Sequence, residues 1–261
     1  MAYAPFDLTG KVALITGGNR GIGLGMAEAL AASNAHVAIW GRKEAANAEA
    51  VDKLKGLGTG EVRAWAVDVA EEDTVVAAMA ETNGWMGRLD SVIANAGVGF
   101  GAKSFSEMTT EIWRKNMAVN LDGAFWTLRE ATKHMVERAK NGDPGGSLVG
   151  IASMAALEGA ARNQAYGATK GGLISMIRAI SVEHARYGIR ANAILPGWIA
   201  TDMTSGAQDN DKFVSNVISR VPMKRWGEPA DFGGMAVYLT SDASSFHTGD
   251  SILIDGGYCI Y

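Results

Sequence analysis

Two side chains that can exchange a proton, Tyr166 and Lys170, stand four residues apart in the sequence. On a helix this spacing places both on one face. A tyrosine alone is a poor base at neutral pH because its reference pKa is about 10. A lysine ammonium about 5 Å away, at an effective dielectric constant near 20, favours the phenolate by roughly 3 kcal/mol. The pair therefore predicts a lowered pKa for Tyr166 and general acid–base chemistry.

Ser153 strengthens this interpretation, because the pattern Tyr-x-x-x-Lys alone also arises as a solvated pair on many helices. Ser153 stands 13 residues before Tyr166, at the end of a predicted strand. Ligands of parallel sheets bind at the carboxyl ends of the strands. A hydroxyl there can donate a hydrogen bond to a substrate oxygen and stabilise developing charge. The three residues together predict chemistry at a substrate oxygen.

A glycine-rich turn lies near the start of the chain, in the run Thr16-Gly17-Gly18-Asn19-Arg20-Gly21-Ile22-Gly23. Gly17 permits a tight turn, Gly21 lets the backbone approach a pyrophosphate, and Gly23 lets helix and strand pack closely. Amide groups at the helix start then face the anion. Glycine clusters occur in many strand-to-helix turns, but this position between the first strand and first helix favours a dinucleotide site.

Short apolar runs alternate along the chain with segments of helical spacing. The predicted strands cover residues 11–16, 36–40, 62–67, 89–94, 147–152, 189–194 and 251–254. The predicted helices cover residues 22–32, 44–57, 71–82, 110–140, 166–187 and 229–240. This alternation predicts an α/β fold, a doubly wound, Rossmann-like parallel sheet of about seven strands with helices on both faces. One domain is expected over residues 1–261, because neither a linker nor a repeat divides the sequence.

Residues 198–226 interrupt the alternation, with a polar stretch at 204–211 and a predicted helix at 212–219. A long excursion just after a strand is a common place for a substrate lid. An ordinary surface insertion is the alternative interpretation.

The composition argues against several classes of protein. A net charge of −4 over 261 residues gives no basic face for nucleic acid. No apolar run approaches the roughly 18 residues that span a bilayer, and residues 1–7 lack a signal-peptide layout. We therefore expect a cytoplasmic location. Cys259 is the one cysteine and the four histidines are scattered, which predicts an unreactive thiol and no metal site.

The spacing Gly-x-x-x-Gly-x-Gly at residues 17–23 resembles the turn of the short-chain dehydrogenase/reductase family. Further motifs of that family follow in order over residues 7–257: Asp68-Val69, Asn95-Ala96-Gly97, Asn120, Ser153, Tyr166-x-x-x-Lys170 and Pro196-Gly197 followed by Thr201. The resemblance implies an enzyme that passes hydride between a nicotinamide cofactor and a carbonyl or alcohol. Its catalytic residues would be Asn120, Ser153, Tyr166 and Lys170, with Asn120 holding a water that links Lys170 to solvent.

The resemblance also implies a cofactor site. Asp68 and Val69 would line the adenine, and Asn95, Ala96 and Gly97 would support the sheet beside the adenosine ribose. Ile199 and Thr201 would hold the nicotinamide carboxamide, while Lys170 would also bind the nicotinamide ribose. The other residues expected to contact the cofactor are Thr16, Gly17, Asn19, Arg20, Gly21, Ile22, Gly23, Arg42, Tyr166, Pro196 and Gly197.

The end of the second strand bears on which cofactor is used. Folds that prefer NAD usually carry an acid there for the ribose 2′-hydroxyl, but this chain reads Trp40-Gly41-Arg42-Lys43. The guanidinium groups of Arg42 and Arg20 are well matched to a phosphate. NADP(H) is therefore predicted as the preferred cofactor and NAD(H) as the second, unless these residues are solvated surface charges.

The substrate is predicted to be a small molecule with a ketone or secondary alcohol. The residues expected to contact it are Ser153, Met154, Asn163, Tyr166, Trp198 and Met203. Candidate activities include a 3-oxoacyl thioester reductase and an NAD-dependent sugar-acid or polyol dehydrogenase. From another class, a non-catalytic nucleotide-binding regulatory module would have no chemical need for the serine, tyrosine and lysine.

Self-association is the remaining expectation. A homo-oligomer, either a tetramer or a dimer, is predicted, with the helices at residues 110–140 and 166–187 as contact surfaces. Nucleic-acid and membrane partners are not expected.

Overall fold

The computed structural model describes residues 4–261; residues 1–3, part of the segment inspected for a signal peptide, lie outside the described residues. One sheet of seven parallel strands has the order β3-β2-β1-β4-β5-β6-β7. The strands are β1 (Val12–Thr16), β2 (His36–Gly41), β3 (Val62–Ala66), β4 (Ser91–Ala94), β5 (Gly146–Ile151), β6 (Ile189–Pro196) and β7 (Ser251–Ile254). The strand order reverses between β1 and β4, which opens a crevice at their carboxyl ends.

Helices cover both faces of this sheet, so the doubly wound α/β prediction is confirmed. They are α1 (Gly21–Ala32), α2 (Glu44–Leu54), α3 (Glu72–Met86), α4 (Thr110–Met117), α5 (Gly123–Lys140), α6 (Ala155–Glu158), α7 (Gln164–His184), α8 (Ser205–Gln208), α9 (Asp211–Arg220) and α10 (Gly233–Thr240). One apolar core contains residues of α3, α5 and α7, such as Val75, Leu128 and Ile177. The other contains residues of α1 and α10, such as Met26 and Leu239.

Strand position explains the apolar patterns. All residues of the central strands β1 and β4 are buried, as expected where helices cover both faces. The edge strand β3 instead has only two buried positions, Val62 and Trp65, among its five residues. Nearly continuous apolar runs therefore mark the middle of the sheet, where the crevice opens.

The segment predicted as one helix over residues 110–140 is interrupted, which corrects that prediction. A π-helical turn at Ala118–Asp122 separates α4 from α5. Asn120 lies inside this turn, 1% exposed, and its side chain bonds both backbone groups of Val98. Wide turns of this kind often occur at functional sites, and here the turn depends on a contact with a distant loop.

Residues 198–226 contain the short helix α8 and the helix α9, whose start is capped by Asn210 through a 3.0 Å bond from the Phe213 amide. Val217 of α9 packs in a small apolar cluster with Met154 and Tyr258. The excursion therefore lies against the residue that follows Ser153. Within residues 4–261, none of the helices has the length and apolar character needed to cross a membrane.

Candidate active site

The glycine turn between β1 and α1 forms a backbone cradle. Gly17 and Gly21 have φ values of 63° and 52°, in the left-handed region that favours glycine. A Cβ built on Gly23 would overlap the carbonyl oxygen of Gly17 and the side-chain amide of Asn95. Because the turn admits no side chain at these points and precedes a helix N-terminus, it fits a pyrophosphate.

Thr16 joins the glycine turn to the end of β4. Its hydroxyl oxygen accepts hydrogen bonds from the backbone amides of Asn95 at 3.0 Å and Ala96 at 2.9 Å. The Asn95 side chain donates back to the Thr16 carbonyl at 2.9 Å. The segment Asn95-Ala96-Gly97 therefore connects the ends of β1 and β4 through hydrogen bonds, at the point where the strand order reverses.

Tyr166, Lys170 and Ser153 come together at the carboxyl end of β5. Lys170 Nζ lies 5.5 Å from the centre of the Tyr166 ring and donates to the Ile151 carbonyl at 2.7 Å. Lys170 is 4% exposed and Ser153 is 9% exposed. The ammonium is therefore fixed by the strand and the tyrosine by the first turn of α7.

The pKa of Tyr166 is raised, which corrects the expectation that Lys170 would lower it. Burial of the phenol is the main cause, and a side-chain hydrogen bond with Ser153 opposes it. Burial also lowers the pKa of Lys170 to about 8. Both shifts have the same origin, since a low-dielectric site disfavours the charged form of each group. At neutral pH the phenol therefore holds its proton.

Asn120 connects three parts of the site. Its Oδ1 accepts from the Val98 amide at 2.8 Å, and its Nδ2 donates to the Val98 carbonyl at 2.9 Å. Nδ2 also donates to the Thr169 hydroxyl at 3.2 Å, and that hydroxyl donates to the Tyr166 carbonyl at 2.7 Å. The Asn120 side chain thus ties the loop after β4 to the segment that carries Tyr166 and Lys170.

Two arginines lie on the surface beside the glycine turn. Arg20 forms an ion pair with Asp202 at 3.5 Å, and Arg42 forms one with Asp68 at 3.8 Å. The side chains of Arg20 and Arg42 are 65% and 58% exposed. Exposed pairs of this length contribute little stability, so both guanidinium groups can turn towards a phosphate.

The remaining predicted cofactor residues lie around the same edge. Val69 is buried, with its carbonyl against Gly123 at the start of α5. Ile199 is 4% exposed, and Thr201 lies beside Gly21 of the glycine turn. Pro196 ends β6, and Gly197 follows it against the backbone of Asp255.

Polar atoms in the predicted substrate wall lack partners within the described part of the chain. Asn163 Oδ1 and Trp198 Nε1 are buried without a hydrogen bond, and so is Gln164 Oε1, which the sequence did not single out. A buried polar atom without a partner is costly, and a ligand would reach these atoms only if the side chains that cover them moved aside. Met154 is 8% exposed beside them, whereas Met203 is 55% exposed at the rim.

Two further groups escaped prediction. Asn47 is a buried amide in α2 that bonds Gly41, Trp65 and Asn19; a polar residue with poor helix propensity inside a predicted helix was the signal available. Carboxylates of Asp255 and Glu158 lie at the Cys259 thiol. Burial and these two acids raise the pKa of Cys259 to about 12, so the thiol keeps its proton at neutral pH.

Within residues 4–261, no three histidine, cysteine, aspartate or glutamate side chains come together in a way that would hold an ion. The doubly wound sheet, the glycine cradle and the partly buried tyrosine beside a buried lysine together define a nucleotide-dependent oxidoreductase.

Comparisons with known proteins identify the family. A family model described as Enoyl-(Acyl carrier protein) reductase matches residues 17–259. L-rhamnose 1-dehydrogenase (NAD(P)(+)) of Azotobacter vinelandii is 36% identical over 96% of this chain and 97% of its own. The chain belongs to the short-chain dehydrogenase/reductase family and is an NAD(P)-dependent oxidoreductase that acts on CH–OH groups.

Solved structures agree with this assignment. A protein of Agrobacterium tumefaciens, proposed to be a gluconate dehydrogenase, has a TM-score of 0.92 and 37% identity, covering 98% of both chains. A protein of Beutenbergia cavernae, proposed to be an NAD(P)-dependent gluconate 5-dehydrogenase and solved with NADP bound, has a TM-score of 0.91 and 32% identity. That match covers 98% of this chain and 100% of the other.

Proposed function

We propose that this chain transfers hydride between NADP(H) and a ketone or secondary alcohol of a small molecule, with Ser153, Tyr166 and Lys170 handling the substrate oxygen. The observation that carries the proposal is the placement of these three residues at the carboxyl end of β5, with Ser153 and Lys170 buried and Tyr166 partly buried. A bound nicotinamide would supply or accept the hydride. The side chains of this site supply or accept the proton.

Tyr166 is the proposed acid in reduction and base in oxidation. Burial raises the pKa of its phenol, so the proton is present at neutral pH and available for a carbonyl oxygen. Ser153 lies near enough to the Tyr166 phenol to oppose the rise in its pKa, and its hydroxyl would bond the same substrate oxygen. Lys170 uses one donor on Ile151, which leaves two for ribose hydroxyls and for stabilising the phenolate.

The proposed cofactor preference rests on charge at the adenosine end. Arg20 and Arg42 flank the glycine turn on mobile, exposed side chains, and guanidinium groups recognise phosphate in a bidentate manner. The Beutenbergia cavernae neighbour binds NADP, and the Azotobacter vinelandii relative is named for either cofactor. We therefore assign NADP(H) as preferred and NAD(H) as the second cofactor.

The proposed cofactor contacts follow from placement along the carboxyl edge. Asp68 and Val69 would lie against the adenine, and Asn95-Ala96-Gly97 would back the adenosine ribose. Ile199 and Thr201, next to Gly21, would bond the carboxamide of the nicotinamide. Asn120 would support a water near Lys170 from the π-helical turn.

A sugar-acid or polyol substrate is the second candidate within this proposal. The polar groups of such a molecule would suit Asn163, Gln164 and Trp198, whose side chains hold buried polar atoms without partners, if the residues that cover those atoms shift on binding. Names of relatives point the same way, because they include rhamnose and gluconate dehydrogenases. Residues 198–226 would then act as the lid over this pocket, with Met203 at its rim.

The test is a screen of carbonyls with NADPH and of alcohols, polyols and sugar acids with NADP, followed at the nicotinamide absorbance. Turnover of at least one class that is lost in Ser153→Ala supports the proposal. Tight NADPH binding without turnover of any compound in either direction would favour the regulatory-module alternative.

We also propose that the chain self-associates as a tetramer or dimer. Apolar side chains exposed on the monomer include Phe125 of α5 and Val182 of α7, within the helices expected to make contacts. Light scattering measures the assembly directly, and a monomer at micromolar concentration would contradict this proposal.

A further inference from the structure

The buried side chain of Asn47 joins two strands and the glycine turn at the adenosine end of the site. Its Nδ2 donates to the carbonyl oxygen of Gly41, the last residue of β2, at 2.9 Å and to that of Trp65 in β3 at 3.0 Å. Its Oδ1 accepts from Asn19 Nδ2 of the glycine turn at 2.8 Å. Asn47 is 4% exposed, and a buried amide is tolerated only when it is hydrogen-bonded in this way. We call Asn19 and Asn47 the amide pair.

The amide pair closes position 41 to any side chain. A Cβ built on Gly41 would overlap Asn19 Nδ2 and Asn47 Oδ1, and would lie 2.8 Å from Asn19 Cγ. Position 41 ends β2, where folds that prefer NAD carry the acid for the ribose 2′-hydroxyl. An acid at this position therefore requires the amide pair to shift and to give up its present hydrogen bond.

The amide pair also fixes the backbone from which the two arginines start. Arg20 directly follows Asn19, and Arg42 directly follows Gly41, whose carbonyl Asn47 holds. Both arginine side chains are more than half exposed and form long ion pairs. Because the guanidinium groups are themselves loosely held, the backbone at residues 19 and 41 sets where they can reach.

We propose that the amide pair is a positioning unit for cofactor selectivity. It disfavours an acid at position 41 and orients Arg20 and Arg42 towards the 2′-phosphate of NADP(H). Its amides carry no negative charge, so they do not repel that phosphate. The inference deepens the cofactor preference proposed above and rests on it. Neither asparagine touches the reacting atoms, so the effect acts on binding and not on proton transfer.

The test measures dissociation constants for NADPH and NADH by calorimetry, together with thermal midpoints in the absence of cofactor. Asn47→Ala should weaken NADPH binding about fivefold and NADH binding less than about twofold, since the loss is in a charge-assisted contact. Asn19→Ala should do the same and leaves the bonds of Asn47 to Gly41 and Trp65 intact, so it serves if Asn47→Ala fails to fold. Asn116→Ala is the control, because this buried amide bonds Phe100 far from β2.

Gly41→Asp tests the steric part. Alone, it should lower the thermal midpoint and weaken both cofactors, because the new side chain meets the amide pair. Combined with Asn19→Ala and Asn47→Ala, the aspartate has room, so the midpoint should rise above that of Gly41→Asp and the preference should turn to NADH. An additive loss of stability in the triple variant would disprove the steric closure.

The selectivity part is overturned if Asn19→Ala and Asn47→Ala keep the wild-type ratio of dissociation constants, or change it no more than Asn116→Ala does. Failure of the cofactor preference itself looks different. In that case the wild type binds NADPH and NADH equally and Arg42→Ala changes neither, while the midpoint measurements still report whether the amide pair closes position 41.

Discussion

At the catalytic end of the site Lys170 is 4% exposed and bonded to the backbone of β5, whereas at the adenosine end the side chains of Arg20 and Arg42 are 65% and 58% exposed. The difference follows from the tasks proposed for them. A proton donor must hold its hydroxyl at a fixed place and in a controlled protonation state. A guanidinium that binds a phosphate needs only to come within contact distance of it, because the guanidinium is always charged.

Different kinds of group are held rigidly at the two ends of the site. At the catalytic end the functional side chains themselves are fixed. At the adenosine end the hydrogen-bonded groups are the neutral amides of Asn19 and Asn47, whereas the neighbouring arginines are exposed and form only long ion pairs. Substitutions at the two ends should therefore fail in different ways.

The largest effect is expected for Tyr166→Phe. Removing the hydroxyl removes the proposed acid and base, so turnover should fall by about 10³-fold. The ring remains, so the dissociation constant of NADPH should stay within about twofold of the wild type. Steady-state kinetics and calorimetry measure both, with Tyr187→Phe after the same helix as control. Near-normal turnover in Tyr166→Phe would rule out the mechanism.

Asn120→Ala should have an intermediate effect that separates structure from catalysis. The substitution leaves the backbone groups of Val98 without partners, which should cost about 2 kcal/mol in the free energy of unfolding. Asn116→Ala is closely matched, since Asn116 bonds both backbone groups of Phe100 one turn away.

Urea unfolding should give similar losses for the two asparagine variants. Turnover should fall about tenfold in Asn120→Ala alone, because only Asn120 also bonds Thr169 beside Lys170. Equal turnover in both variants would mean that Asn120 supports the fold and not the chemistry.

Arg42→Ala probes the adenosine end. KM for NADPH should rise about tenfold through loss of a charge-assisted contact, with kcat and the constants for NADH little changed. The effect should shrink at high ionic strength, because the side chain is exposed. Arg63→Ala, an exposed arginine that stacks on Trp65 of β3, is the control. A cofactor preference that does not respond to Arg42→Ala would refute the NADP(H) assignment.

The smallest effect expected is a change in the pH dependence of stability at the catalytic end. Burial lowers the pKa of Lys170 to about 8 in the folded protein, whereas an unfolded lysine titrates near 10.4. Between these values the unfolded chain binds more protons, so the contribution of Lys170 to stability rises with pH across this window.

The Lys170→Met variant should therefore be more stable than the wild type, and the difference in stability should be largest below pH 8. That gain should shrink by about 3 °C in thermal midpoint towards pH 10. Lys140→Met, at an exposed lysine of α5, should show no such trend. A gain that grows with pH would have the wrong sign for a buried lysine.

Most of the sheet was predictable because its strands are covered on both faces. The seven predicted strands agree with the structure to within two residues at each end. The break between α4 and α5 was not predictable, since the pattern of apolar residues continues through it. Asn120 lies in the π-helical turn and bonds Val98, which is 22 residues away in sequence.

The candidate site was predictable in its residue types but not in its electrostatics. Spacing indicated the tyrosine and lysine, yet the expected drop in the pKa of Tyr166 was wrong, because spacing does not reveal how far a phenol is removed from water. Asn47 was missed for a related reason. Its partners lie at residues 19, 41 and 65, and only folding brings those positions together.

The sequence by itself determined the parallel sheet, the glycine turn and the identity of the groups that can exchange a proton, because periodicity and residue chemistry are local properties of a chain. Only the tertiary structure decided which of these groups are buried from water, which asparagine amides bond each other, and that the amides occupy the space beside position 41 at the end of β2. Protonation and selectivity depend on distances between residues far apart in the sequence, and those distances exist only in the folded molecule.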